Sequence, residues 1–146
     1  MRRCLIACTL AVFASTAPVL AEEHEVQMLT KGPEGQRNWF EPAVVFAQPG
    51  DTINFVSTDS GPNSESLEVP EGAKTWKGKI NEDLSVTLDT EGLYAYKCTP
   101  HLGLGMVGLV VVGDPSSNLE AVKSARYPGR SKGVMEELLA EVEEQM

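Results

Sequence analysis

The sequence predicts a mainly β protein, a sandwich or barrel of short strands followed by two α-helices. Short segments in which apolar and polar residues alternate follow one another closely, and turns rich in proline and glycine join them. After Gly113 the pattern changes, and apolar residues recur at the spacing of a helix. The chain has 146 residues, which is enough for one such domain to bury a core without disulfides.

Six strands are predicted from the alternation of apolar and polar residues. Segments 52–56 and 84–88 alternate cleanly, which is typical of half-buried strands. Segment 106–112 is almost entirely apolar and predicts a strand at the centre of a sheet. Loops are predicted at 31–35, 59–63 and 65–74, where turn-forming residues cluster. The predicted strands are 24–30, 40–47, 52–56, 84–88, 92–97 and 106–112.

Two helices are predicted at 118–125 and 133–145, separated by Pro128 and Gly129. Ser117 is suited to cap the first of them. We expect the pair to cover one edge of the sandwich. Their predicted solvent face is acidic and consists of Glu136, Glu137, Glu141, Glu143 and Glu144.

Residues 1–21 have the pattern of a secretory signal peptide. Arg2 and Arg3 precede an apolar stretch at 5–14, and small or short residues precede a predicted cut after Ala21. The sequence therefore predicts export of the chain and one domain over 22–146, with the sandwich at about 22–113 and the helices at about 117–145.

Removal of the predicted signal peptide changes the number of cysteines in the protein. Cys4 and Cys8 leave with it, so the exported domain keeps Cys98 alone. A single thiol in an oxidising compartment has no disulfide partner within its chain, and it is expected to be either a buried inert residue or a metal ligand.

Charge and length exclude several classes of function. The formal net charge is −9 at pH 7. This charge disfavours nucleic-acid binding, because affinity for the phosphate backbone depends on lysine and arginine. No apolar run is long enough for a retained membrane-spanning helix. The length excludes a large multi-domain enzyme.

One loop carries three side chains with metal-binding chemistry. Cys98, His101 and Met106 follow the spacing C-x2-H-x4-M between two predicted strands. A thiolate, an imidazole and a weak axial thioether are ligands that a blue copper site uses. Pro100 and two glycines shape the turn between them. Such a rigid loop favours electron transfer, because a site that rearranges little between Cu(I) and Cu(II) exchanges electrons faster.

With these residues in place, the sequence resembles the pseudoazurins, small periplasmic blue copper proteins of the cupredoxin family. The resemblance implies a cupredoxin-like Greek-key sandwich, a monomer, and one copper ion per chain that carries one electron. It implies Cys98 and His101 as equatorial ligands, Met106 as the long axial ligand, and a hydrogen bond between Asn63 and Thr99 that joins the ligand loops. It rests on segments 25–26, 28–29, 40–43, 49–51, 53–56, 79–82, 92–94, 97–101, 105–110, 112–114 and 118–119.

The chain departs from the pseudoazurin pattern at one ligand position. The family supplies a second histidine from the loop after the strand 53–56, and Pro62 stands there in this chain. Three explanations remain open. Pro62 could be a sequence error or a natural mutation, a water or backbone carbonyl could occupy the position of the missing ligand, or the protein could hold only Cu(I). His24 could also move into the site, although we expect it to be a solvated residue near the terminus.

The resemblance also implies a docking surface and partners. Its apolar centre would surround His101 and consist of Pro100, Leu102 and Leu104, with Pro42 beside them. Lysines around such a patch steer pseudoazurins to acidic redox partners such as nitrite reductases and c-type cytochromes, although these lysines could equally be ordinary solvated residues. The corresponding lysines here are Lys31, Lys77, Lys79 and Lys97.

Two other classes of function are weighed against electron transfer. A Cu(I)-binding or copper-handling module without redox cycling would need only Cys98, His101 and Met106. An enzyme is disfavoured, because no third orienting group or oxyanion signal accompanies Cys98 and His101.

Overall fold

The computed structural model describes residues 18–146, and two four-stranded sheets form most of it. The first sheet has the order β2-β1-β4-β6, and the second has the order β3-β8-β7-β5. Most of the predicted signal peptide, with Cys4 and Cys8, lies outside the described residues. The strands are β1 Glu23–Lys31, β2 Arg37–Glu41, β3 Val44–Ala47, β4 Asp51–Val56, β5 Glu65–Glu68, β6 Leu84–Leu88, β7 Gly92–Lys97 and β8 Val107–Val112.

The two sheets pack face to face over an aromatic core. Tyr96 is at its centre, with ring centroids 4.8 Å from Phe40 and 5.0 Å from Phe55 in edge-on geometry. Gly108 on the neighbouring strand leaves room for this ring, because a Cβ atom there would lie 2.4 Å from the Tyr96 hydroxyl oxygen. The size of Tyr96 therefore requires glycine at position 108.

Two helices, α1 Leu119–Ser124 and α2 Ser131–Glu144, cover the outer face of the second sheet. The prediction that they cover an edge of the sandwich is wrong. Leu109 and Val111 of β8 point toward this helical layer, and Val110 and Val112 point into the core between the sheets. β8 is therefore buried on both faces, which explains its continuous apolar sequence. Among the described residues, neither helix combines the length and the apolar character needed to cross a membrane.

The prediction of one strand over 40–47 is wrong. Two strands, β2 and β3, belong to different sheets, and the chain passes between them at Pro42. Proline has no N–H for a strand ladder and therefore suits this break. The loop predicted at 65–74 begins with a strand, because residues of β5 pair with the edge of β7.

The prediction that Ser117 caps α1 is also wrong. Asn118 is the residue that precedes α1, and its side chain hydrogen-bonds to a strand instead of capping the helix. The Asn118 carboxamide accepts a hydrogen bond from the Leu93 N–H at 2.8 Å and donates one to the Leu93 carbonyl at 2.7 Å. β5 pairs with β7 only from Ala95 onward, so Leu93 has no partner strand on that side. The Asn118 side chain supplies the two hydrogen bonds that β5 would otherwise make with Leu93.

His24, expected to be solvated, is half-buried and tied to the first sheet. Its Nε2 lies 2.9 Å from Oδ2 of Asp51, a buried carboxylate at the start of β4. Hydrogen bonds from the backbone N–H groups of Gln48 and Glu22, and then from His24, lower the pKa of Asp51 to about 2. The carboxylate is therefore ionised at neutral pH.

Replacing Asn118 tests whether its side chain stabilises the Leu93 backbone in place of a neighbouring strand. Asn118→Ala leaves both polar groups of the Leu93 backbone without this partner, and we expect a loss of about 2–3 kcal/mol in the free energy of unfolding. Urea denaturation measures it. Ser117→Ala is the matched control and should change stability by less than about 0.5 kcal/mol. Equal losses in the two variants would show that the Asn118 side chain has no special role.

Candidate metal centre

The three predicted metal-binding side chains lie at one end of the sandwich, on the connection between β7 and β8. Cys98 follows directly after β7, and Met106 directly precedes β8. Lys97 and Val107 are opposite each other in the ladder, so the strand pairing holds the two ends of the loop together. The Cys98 N–H donates to the Met106 carbonyl at 3.0 Å and closes the loop.

Within this loop, Cys98 and His101 approach each other closely. The Cys98 Sγ and His101 Nδ1 atoms are 3.4 Å apart, a separation that two ligands of one metal ion can have. The His101 carbonyl accepts hydrogen bonds from the N–H groups of Leu104 at 3.0 Å and Met106 at 3.2 Å. A short 3₁₀ helix at Leu102–Leu104 ends at Gly105, whose φ of 99° favours glycine.

Burial differs among the three donors in a way that suits their proposed roles. Cys98 and Met106 are buried in the core between the sheets, whereas His101 is partly exposed. Burial raises the pKa of the Cys98 thiol, and the backbone N–H groups of Asn63 and His101 partly offset that effect. The two sulfur donors are thus shielded from water, and the imidazole edge is the part of the site that a partner can reach.

Asn63 joins this loop to the loop that follows β4. Its carboxamide oxygen accepts a hydrogen bond from the Thr99 N–H at 2.7 Å. Its amide nitrogen donates to the Thr99 hydroxyl at 2.9 Å and to the Gly78 carbonyl at 3.0 Å. The Asn63 side chain is buried, at 2% exposure, so its polar atoms depend on these partners for their hydrogen bonds. The predicted contact between Asn63 and Thr99 is present.

Pro62 is buried beside this cross-link and offers no side-chain donor. Its carbonyl accepts a hydrogen bond from the Asn81 N–H at 3.1 Å, and the Asn81 carboxamide accepts one from the Gly61 N–H at 2.6 Å. A Cβ atom on Gly61 would lie 3.7 Å from Cε1 of His101, so this loop reaches the imidazole. The thiolate, imidazole and thioether fit copper, and the fourth position lacks a side-chain ligand.

His24 is not near this position. β1 and β4 run parallel, and His24 is opposite Ile53 near the start of both strands. The loop at 59–63 follows the other end of β4, at least about 10 Å further along the strand direction. The hypothesis that His24 replaces the missing ligand is therefore disfavoured.

The predicted apolar patch is largely exposed around His101. Pro100 and Pro42 are exposed, Leu104 is 52% exposed and Leu102 is partly buried. Ile80 was not predicted as part of this patch; it is 50% exposed and lines a shallow depression with Lys77, Lys79 and Thr99. Its position after Lys79 in a turn-rich segment was the available signal.

The predicted lysines have carboxylate neighbours that the sequence analysis did not identify. Glu65 of β5 lies 3.7 Å from both Lys77 and Lys97 and accepts a hydrogen bond from the Thr99 hydroxyl at 2.7 Å. Its pKa is lowered, mainly by the Thr99 bond and then by the two lysines. Lys79 lies 3.7 Å from Glu82, and Lys31 is at the end of β1 in the other sheet.

We predict that Asn63→Ala loosens the connection between the two loops. Losing the three hydrogen bonds of this buried side chain should lower the free energy of unfolding by about 2–3 kcal/mol. It should also weaken copper binding by about 10–100-fold, as happens when a residue that orients a ligand is lost. Asn54→Ala, on the half-exposed surface of β4, is the control for the loss of an asparagine. Equal effects of the two changes on copper affinity would contradict this role of Asn63.

The chain is similar in sequence and fold to known copper-binding proteins. Residues 26–113 match the family model described as copper binding proteins, plastocyanin/azurin family. The chain is 49% identical to a pseudoazurin of Paracoccus pantotrophus over 140 residues, covering 94% of this chain and 96% of that one. A solved pseudoazurin structure from Sinorhizobium meliloti superposes with a TM-score of 0.81 at 55% identity, covering 84% of this chain and 97% of that one. The pseudoazurin structure from Methylobacterium extorquens AM1 gives a TM-score of 0.78 at 42% identity, covering 82% and 98%.

Proposed function

The chain belongs to the plastocyanin/azurin family of copper-binding proteins, and from this premise we propose that Cys98, His101 and Met106 hold one copper ion in a periplasmic one-electron carrier. Its function is that of a cupredoxin electron-transfer protein. The observation that supports this ligand set is the 3.4 Å approach of Cys98 Sγ to His101 Nδ1 on the loop that ends at the buried Met106.

Bound copper supplies the exchange of one electron between Cu(I) and Cu(II). The chain supplies the soft sulfur ligands, the imidazole and a loop that resists rearrangement. The hydrogen bond between Cys98 and Met106 fixes the ends of the loop, and the bonds of Asn63 hold Thr99, the residue after Cys98. Fixed ligands reduce the structural change that accompanies each electron transfer.

The exposed edge of His101 is the proposed site of electron exchange. Pro42, Pro100, Leu104 and Ile80 offer exposed apolar surface around this end, which suits a small and short-lived redox interface. The partners we propose are periplasmic redox proteins with acidic docking surfaces, nitrite reductases or c-type cytochromes. The protein would act as a monomer with a single domain over 22–146 and would catalyse no reaction of its own.

A copper-handling role without redox cycling is the second candidate, and Pro62 is the observation that favours it. Two sulfur donors and one imidazole are sufficient for Cu(I), which prefers soft ligands. Cu(II) gains more from a second imidazole, which position 62 does not supply. The two roles therefore differ in whether both oxidation states are held.

Copper titration distinguishes these roles. For a carrier, we expect an intense thiolate-to-copper absorption band that disappears on reduction and returns on reoxidation, with matching loss and return of the Cu(II) EPR signal. Cys98→Ala should abolish the band and leave the sandwich folded, because it removes only one sulfur atom from the end of the core between the sheets. Stoichiometric Cu(I) binding with no Cu(II) band would reject the carrier and support copper handling.

Restoring a histidine tests whether position 62 is the missing ligand. Pro62→His should strengthen Cu(II) binding by more than about tenfold, since it restores the second imidazole. Ser60→His is the matched control, because it adds a histidine to the exposed part of the same loop. An equal gain in both variants, or no gain in either, would show that position 62 does not face the metal.

We predict that Glu65 limits the positive charge available for docking. Glu65→Gln removes the carboxylate between Lys77 and Lys97, so electron transfer with an acidic redox protein should become faster at low salt and more sensitive to ionic strength. Stopped-flow kinetics at several salt concentrations measures both effects. Glu136→Gln on α2 makes the same change in net charge away from the patch. Equal acceleration by the two variants would contradict a local role of Glu65.

A further inference from the structure

A second group of metal-binding side chains lies at the start of the first sheet. Glu22, His24 and Asp51 each place one ligand atom within 4.8 Å of the other two. The group is separate from the candidate copper centre, because His24 is opposite Ile53 near the start of β1 and β4 and the copper loops lie beyond their other end. None of its three members has a role in the proposed electron transfer.

Two of the three donors are held in place by the fold. Asp51 is 3% exposed, and hydrogen bonds from the Gln48 and Glu22 N–H groups fix its orientation. The His24 side chain, 22% exposed, places Nε2 2.9 Å from Asp51 Oδ2. Glu22 is exposed and precedes β1, so its carboxylate is free to turn toward the other two.

We propose that Glu22, His24 and Asp51 form a binding site for a divalent transition-metal ion, and that Zn²⁺ is the ion best suited to it. Zinc accepts imidazole and carboxylate ligands at about 2.0–2.2 Å in tetrahedral geometry. Two ligands on such an ion lie about 3.4 Å apart. The 2.9 Å between His24 Nε2 and Asp51 Oδ2 therefore needs to widen by only about half an ångström, and rotation of the Glu22 side chain brings in the third ligand.

The predicted cut after Ala21 supplies a fourth donor at the same place. The backbone nitrogen of Glu22 lies 2.9 Å from Asp51 Oδ1, on the same carboxylate that approaches His24. Cleavage would turn this nitrogen into the terminal amino group, which can bind zinc when it is neutral. One imidazole, two carboxylates and one amine would then complete a tetrahedral set. This fourth ligand rests on the predicted processing site, whereas the three side chains do not.

Zinc titration of the exported and processed protein tests the proposal. Mass spectrometry first identifies its N-terminus, and Cys98→Ser serves as the background so that zinc does not bind the thiol. The chain contains two histidines, His24 and His101, so NMR of the imidazole nitrogens identifies the one that binds. We expect one Zn²⁺ per chain by calorimetry, with the signals of His24 shifted and those of His101 unchanged. No saturable binding, or shifts at His101 alone, would overturn the proposal.

Variants of the ligands separate the site from general attraction of cations to an acidic chain. His24→Gln and Glu22→Gln should each reduce zinc affinity by more than about tenfold, because each removes a ligand. Glu25→Gln, an exposed carboxylate on the same strand, is the control and should have little effect. Equal losses in all three variants would mean that zinc responds only to net charge and would overturn the site.

A longer N-terminus tests the fourth ligand. Inserting Gly-Ser between Ala21 and Glu22 moves the terminal amino group away from Asp51, and we expect weaker zinc binding that still shifts the His24 signals. A different result would overturn the three-side-chain site: complete loss of binding after insertion, together with unchanged affinity in Glu22→Gln and Asp51→Asn. The ion would then be held by the terminal amine, the backbone and His24 alone.

Discussion

The hydrogen bonds of the Asn63 side chain are the interaction on which the candidate copper site depends. One buried carboxamide binds both the backbone and the hydroxyl of Thr99 and also reaches the carbonyl of Gly78. Thr99 follows Cys98 directly, and Pro62 precedes Asn63, so these bonds fix the positions of the two loops relative to each other. In a buried setting such bonds are strong and costly to leave unmade. The fold thus brings position 62 to the metal-binding loop whichever side chain stands there.

A layer of helices gives the ligand loop a rigid support. The loop joins β7 and β8, neighbouring strands inside the second sheet, and β8 is buried on both faces because α1 and α2 cover the outer one. The connection before α2 also touches the loop directly, since the Arg130 N–H donates to the Gly103 carbonyl at 3.0 Å. Few movements of the loop are possible without disturbing one of the two cores. An electron carrier needs such a site, because its ligands must change little between oxidation states.

The sequence predicts those features whose cause lies within a few residues. The bounds of β6 and β7 agree with the segments expected from alternation, and the three proposed copper donors can be selected from the sequence because one loop carries them all. β5 was missed because its four residues form a strand only by pairing with β7, a contact between distant parts of the chain. The partnership of His24 with Asp51, 27 residues away, was missed for the same reason. The contacts of Glu65 with Lys77 and Thr99 were missed for the same reason, because both residues are distant from Glu65 in the sequence.

Pro62 shows that the bonds that position the 59–63 loop do not depend on a metal-binding side chain at position 62. Asn63 and Asn81 hold the loop through the Thr99 backbone, the Pro62 carbonyl and the Gly61 N–H, and none of these bonds uses the side chain at position 62. In the proposed site, proline in place of the family's histidine therefore leaves out a nitrogen ligand, while the bonds that position the loop are present. The ligands that remain are rich in sulfur, and sulfur ligands favour Cu(I) over Cu(II). A site of this kind should thus have a higher Cu(II)/Cu(I) potential than one with two imidazoles, while the loops keep the rigidity that electron transfer requires.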